Sequence, residues 1–143
     1  MIALDRALDY TRSNRRCVLV TLKADGRPQS SNVMHWTDAD GVVRISLTDS
    51  RAKTRNLRRD PRVSLHIVAD DFWSYVVLEG LADLSPVAIS PDDATCDELV
   101  AYYRAVSGEH GDWDEYRRAM IADQRLVLRV RPTYAYGSVP DAG

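Results

Sequence analysis

Hydrophobic positions change their period several times along the 143 residues, and each change marks an element. Val43, Ile45 and Leu47 alternate with Arg44, Ser46 and Thr48, the period of two expected of a strand with one face in a core. The same alternation recurs in Arg62–Val68, with Val63, Leu65 and Ile67 inward and Ser64 and His66 opposite. It recurs over Cys17–Ala24, where Val18, Val20 and Leu22 share one face and Leu19 and Thr21 the other. Trp73–Leu84 reads as a longer strand in which Gly80 marks a bulge or a close backbone approach. Leu126–Tyr136 reads as a last strand, and Pro132 puts its end at an edge or bulge. Helical spacing appears over Ile2–Ser13, on Leu4, Ala7 and Leu8. It returns on Cys96, Leu99, Tyr103 and Val106, with Ser90 as expected N-cap, Pro91 at the first helical position and Gly108 closing. Asp112 is expected to cap a further helix carrying Trp113, Tyr116 and Met120.

Asp25–Gly26 predicts a type I′ hairpin turn, and Asp38–Gly41 another turn. The tally is six strands and four helices, two of them inserted together before the last strand. Hairpins joined by tight turns predict a mainly β (α+β) fold, a six-stranded antiparallel barrel with peripheral helices. No repeat, low-complexity run or linker divides residues 1–143, so a single domain is expected. So small a barrel has little room for a large ligand inside. A ligand is therefore expected on its outside, covered by a second copy of the chain. Trp36, Trp73, Tyr75, Tyr134 and Tyr136 are candidates for that cover.

Two stretches break local rules. After Pro28 come Gln29, Ser30, Ser31 and Asn32, polar on both faces of a strand, before Val33, Met34, His35 and Trp36. Such a strand lies at a wet edge or lines a polar cavity. The second stretch, SRAKTRNLRRDP over Ser50–Pro61, has Ser50 as an expected N-cap and a stop at Asp60–Pro61. Its first turn nevertheless carries Arg51 and Lys53, where the helix dipole is already positive, at about 0.3–1 kcal/mol each. Cations and free N–H groups at a helix start make a phosphate or carboxylate site, and Ser46 and Thr48 bring hydroxyls toward it.

Composition narrows the function classes. Net charge is −2, so the basic helix is a local feature and general nucleic-acid binding is not expected. No apolar run approaches the roughly 20 residues of a membrane span, and Asp5 and Asp9 interrupt the N-terminal segment, so no signal peptide is expected. Cys17 and Cys96 match no metal or redox spacing and read as core residues of a protein in a reducing cytoplasm. His35, His66 and His110 are scattered, and His66 reads as a surface or hydrogen-bonding residue; no metal centre is expected. Nucleophile elbow, Walker loop and dinucleotide fingerprint are all missing from the sequence. No catalytic residue can be named, although His35 and Tyr75 are candidate proton donors. An enzyme of this kind would leave the hard chemistry to a cofactor.

VLVTLKADGRPQSSNV, ISLTDSRAKTRNLRRDPRVSL and DDFWSYVVLEGLADL together resemble the actinobacterial flavin/deazaflavin oxidoreductases. These belong to the pyridoxamine-5′-phosphate-oxidase-like split-barrel superfamily, on its coenzyme F420 branch. The likeness spans about Cys17 to Tyr136. It implies a split barrel and a homodimer with the cofactor at the subunit interface. It also implies that reduced F420 passes hydride to a small-molecule substrate. By the same resemblance Arg51, Lys53 and Asn56 would hold the phosphate and anionic tail, with Ser46, Leu47 and Ala52 nearby. Gln29, Ser30, Ser31, Asn32 and Val33 would run along the deazaflavin ring and ribityl chain. Trp73, Ser74 and Tyr75 would complete the pocket from the partner subunit. The residues by themselves leave FMN, with a pyridoxamine-phosphate-oxidase type of activity, as an alternative. They also leave open a non-enzymatic deazaflavin-binding protein, or a nucleic-acid binder using the basic helix.

Overall fold

A computed structural model describes residues 2–140. In chain order these form α1 (Leu4–Ser13), β1 (Arg16–Leu22), β2 (Pro28–Met34), β3 (Trp36–Thr37), β4 (Val43–Thr48) and α2 (Ala52–Arg59). There follow β5 (Arg62–Val68), β6 (Tyr75–Leu84), α3 (Ala94–Ser107), α4 (Trp113–Ala122), β7 (Arg125–Val130) and β8 (Tyr134–Ser138). The strands pair in the order β2-β1-β5-β6-β7-β4-β3, antiparallel throughout, with β8 also on β6. β2 and β3 lie at opposite ends of that order yet are one run of chain broken only at His35. This bent strand closes the sheet on itself, as the barrel reading requires.

Two of the six predicted strands are each split, giving eight segments among the described residues. The bend at His35 divides one, and Pro132 divides the other between Val130 and Tyr134. β6 is long enough to serve both halves of the second. Tyr75–Glu79 pairs with β8 and Ala82–Leu84 with β7. Gly80 sits at the changeover, where a Cβ would stand 2.9 Å from Val130 Cγ1 and 3.1 Å from the Arg131 carbonyl oxygen. The close approach expected there is real.

Local chemistry moves several boundaries. The hairpin after β1 has positive φ only at Gly26, so it is not type I′; Gly26 N–H closes a turn on the Lys23 carbonyl at 2.9 Å. Ser90 does not cap α3. Asp93 does, its carboxylate accepting from the Cys96, Ser90 and Ile89 amides, so Ser90–Asp92 form a turn before the helix. β6 begins at Tyr75, because Asp71 gathers Trp73 N–H and the Ser74 hydroxyl into a loop.

The barrel interior is filled by fully buried Leu19, Ile45, Leu47, Leu65, Ile67, Leu78, Leu126 and Leu128, each worth about 1.5–3 kcal/mol of burial. A second cluster of Cys96, Leu99, Val100, Tyr116 and Val127 seats α3 and α4 on β7. Both cysteines are free and buried, and burial pushes the Cys17 thiol up to about 12 and Cys96 up to about 11. Glu98 of α3 fastens this insertion to the barrel. It accepts from Arg44 Nε at 2.7 Å and Arg129 Nε at 2.8 Å, while Arg44 also reaches Asp38 at 2.6 Å.

His35, at the bend, is 1% exposed. Its Nε2 lies 2.5 Å from the Asn14 carbonyl oxygen and its Nδ1 3.1 Å from Thr37 Oγ1. A carbonyl can only accept, so Nε2 carries the proton and Nδ1 accepts from the hydroxyl. Burial lowers the pKa of this imidazole below its ordinary value. The stability it supplies is therefore present above the unfolded value of about 6.5 and is lost as pH falls from there toward the folded pKa. Thermal melts between pH 7 and pH 5 are expected to show a drop in Tm that shrinks in His35→Gln. Parallel curves for the two proteins would clear His35 of this role.

Candidate functional site

β4 delivers the chain into α2 through a tight turn. The Thr48 carbonyl accepts from the Arg51 amide at 3.2 Å and from the Thr54 hydroxyl at 2.7 Å. Those two bonds start the helix one residue later than the sequence suggests. Arg51, not Ser50, is the N-cap, and no side chain caps it. The first turn has no acid, and no carboxylate pairs with Arg51 or Lys53 among the described residues. Arg51 is exposed and Lys53 half-buried. Burial first, then the charges of Arg51 and Arg125, lower the pKa of the Lys53 ammonium.

Arg125 reaches this point because β7 pairs with β4, with Thr48 opposite Arg125 and Ser46 opposite Val127. Its Nη1 lies 3.4 Å from Ser46 Oγ, and Asp123 stands 3.9 Å from its Nε. Lys53, Ser46 and Arg125 line a cavity of about 380 Å³. Asn32, Val33 and Met34 of β2 form one wall, and Tyr102, Tyr103, Tyr116 and Met120 of the helical insertion form the other. β2 pairs only with β1, so its other edge is free beside this cleft. The Tyr102 hydroxyl donates to the Met34 carbonyl at 2.7 Å and ties the two walls together.

The residues singled out from sequence fall into five groups. Asn32, Val33, Ser46 and Lys53 line the cleft, and Arg51 and Ala52 stand at its helix end. Gln29 and Asn56 meet each other: Asn56 Nδ2 donates to Gln29 Oε1 at 2.7 Å and to Thr21 Oγ1 at 3.1 Å. Asn56 is buried, so its amide serves the joint between α2, β1 and β2. Leu47 is wholly in the core, and its side chain is closed to a ligand. Ser31, between Gln29 and Val33 on the same strand face, has a buried hydroxyl with no hydrogen-bond partner, while Ser30 is exposed on the opposite face.

Trp73, Ser74 and Tyr75 are not brought to the cleft of their own chain, since β1 and β5 lie between β2 and β6. Trp73 is 79% exposed, Ser74 is buried on Asp71, and Tyr75 packs edge-on against His66. His35, with both ring nitrogens engaged in the barrel bend, is withdrawn as a proton donor. Sequence reasoning missed Arg125, Tyr102 and Met120. Only the strand register and the packing of the insertion reveal them.

Chemically, the cleft offers three cations and a helix start without a side-chain cap. A phosphate-bearing, partly flat ligand fits that set. Among the described residues, no group of three or more His, Cys, Asp or Glu side chains could hold a metal ion, and no helix is long and apolar enough to cross a membrane.

The family model described as pyridoxamine 5′-phosphate oxidase matches residues 4–138. The chain belongs to that family. Among solved structures, an F420 reductase is 26% identical, with 86% of this chain and 90% of that one covered at a TM-score of 0.67. Two others share the family fold at lower identity. Rv2991, a conserved hypothetical protein from Mycobacterium tuberculosis, is 22% identical, with 96% and 84% of the two chains covered at a TM-score of 0.72. HutZ, the heme storage protein from Vibrio cholerae, is 16% identical, with 95% of each chain covered at a TM-score of 0.66.

Replacing Asn56 tests the joint behind the cleft. Asn56→Ala leaves the Gln29 carbonyl without its donor, and about 1–3 kcal/mol of destabilisation is expected in urea unfolding. A change below 0.5 kcal/mol, the scatter of ordinary surface substitutions, would mean that this joint is not structural.

Proposed function

We propose that this chain is an oxidoreductase taking reduced coenzyme F420 as hydride donor to a conjugated or heterocyclic small molecule. The observation that carries the reading is the uncompensated positive charge at the start of α2, where Arg51 and Lys53 crowd a helix end with no acid in its first turn. A phosphodiester with an oligoglutamate tail supplies the missing anion. Similarity to an F420 reductase at 26% identity over most of both chains favours F420 over FMN.

On this reading Lys53 and Ser46 take the phosphate, and Arg51 and Arg55 continue along the tail. The free edge of β2, with Gln29, Ser30, Ser31, Asn32 and Val33, runs beside the ring and ribityl chain. Asn56 acts from behind by holding Gln29. When bound, the deazaflavin supplies the hydride, so no side-chain nucleophile is required. The chain's own share is to bind, to orient substrate against the ring, and to keep water out beneath Tyr102 and Met120.

The working unit on this reading is a homodimer. The outer sheet face exposes Leu81, Tyr134 and Tyr136 beside Val18, Val20 and Leu22, a patch that favours a partner. The exposed Trp73, with Ser74 and Tyr75, would then complete the cleft of the second copy. Light scattering that finds only monomer would remove this part.

Titration of the purified protein with F420 and FMN, followed by fluorescence, tests the cofactor. Tight F420 binding is expected, and Lys53→Ala should weaken it by about 1.5–3 kcal/mol, roughly 10- to 150-fold. Unchanged affinity removes Lys53 from the site, and a preference for FMN moves the chain to the flavin side of the family. Quinones, biliverdin and nitroheterocycles screened with reduced F420 identify the substrate class. Binding without turnover across such a screen would favour a deazaflavin carrier.

A further inference from the structure

Among the described residues, the partly buried arginines divide into those held by short bonds and one, Arg125, that is held only loosely. Arg44 is held by Asp38 and Glu98, Arg129 by Glu98 and Asp83, and Arg117 by Asp97 and the Pro91 carbonyl. Arg125 lies on the same strand as Arg129, four residues before it. Its Nε is buried and has no hydrogen-bond acceptor, its nearest carboxylate is 3.9 Å away, and its bond to Ser46 is a long 3.4 Å. The backbone beneath it is fixed, because Leu126 next along the strand is fully buried and Thr48 pairs opposite. A guanidinium on so fixed a backbone, lining a cavity and short of close acceptors, is a binding group waiting for one.

We propose that Arg125 is a further binding residue of the cleft, which clasps a phosphate group between its planar guanidinium edge and the Lys53 ammonium. This deepens the cofactor reading and rests on it. The two cations have different uses. Arg125 can donate two parallel N–H bonds to two phosphate oxygens, fixing the group's orientation, whereas Lys53 supplies a point charge on the helix side. Arg125 already lies close enough to depress the Lys53 ammonium, a repulsion that a bound anion would relieve.

F420 titrations of wild type, Arg125→Gln, Arg125→Lys and Arg118→Gln test this, alongside thermal shifts in inorganic phosphate. Arg118, exposed on α4, is the control. Arg125→Gln is expected to weaken F420 binding at least tenfold and to flatten its salt dependence. Arg125→Lys should restore the charge but only part of the affinity, and Arg118→Gln should match wild type. Losses in Lys53→Ala and Arg125→Gln should not add, since both cations serve one group. Wild-type affinity in Arg125→Gln overturns the proposal. Should that variant not fold, full affinity in Arg125→Lys overturns the two-bond clasp in its place. Wild type that ignores F420 and FMN but is stabilised by inorganic phosphate, with the gain lost in Arg125→Gln, sinks the cofactor reading and keeps Arg125. Wild type indifferent to all three sinks both.

Discussion

The carbonyl of Thr48 takes two hydrogen bonds, from the Arg51 amide and the Thr54 hydroxyl, and the cleft depends on that small arrangement. It fixes where β4 stops and α2 starts, hence where the free amides of the helix point. It also leaves the start without a side-chain cap, so no side-chain oxygen satisfies them. Asn56, one turn on, ties the helix to β1 and β2 through Thr21 and Gln29. The helix start is therefore rigid and unsatisfied at once. A solvent-facing helix normally avoids that combination, whereas an anion site needs it.

The barrel explains why this start opens onto a cleft. A strand that bends at His35 pairs with β1 before the bend and with β4 after it, so β2 keeps one edge unpaired. Exposed edges invite unwanted pairing, and proteins usually cover them. Here the α3–α4 insertion leans over, pinned through Tyr102 to Met34 and through Glu98 to Arg44 and Arg129. The edge is roofed without being filled, and a cavity of about 380 Å³ remains.

Much of this was legible in the sequence. Alternation of Val43, Ile45 and Leu47, and of Val63, Leu65 and Ile67, carried the barrel strands, because period-two burial is a local property. Of the two stretches that broke local rules, Gln29–Asn32 reaches the cleft at Asn32 and the basic start of α2 at Lys53, which is where conflict between local and global preference is expected. What escaped was non-local. Arg125 gains its meaning only opposite Thr48, and register is not written in a single strand. Tyr102 likewise gains its role only where packing sets it against Met34. Capping was misjudged for a simpler reason: at Ser90 the Asp93 carboxylate, three residues on, takes the backbone N–H groups, and at Ser50 the turn onto the Thr48 carbonyl makes Arg51 the N-cap.

Charge placement explains why the cleft stays positive in a chain of net charge −2. The insertion that roofs it is rich in acids, yet most are committed elsewhere. Asp93 and Asp112 cap their helices, Asp97 holds Arg117, Glu98 holds Arg44 and Arg129, and Glu109 holds Arg104. Any of them turned toward Lys53 would relieve the helix start and stabilise the fold by a surface pair's 0–1 kcal/mol or so. It would also neutralise the site. A protein selected for stability alone would take that pairing. That this one leaves Lys53 without a carboxylate partner, and Arg125 with only Asp123 at 3.9 Å, on the same cavity is the stronger argument that an anion belongs between them.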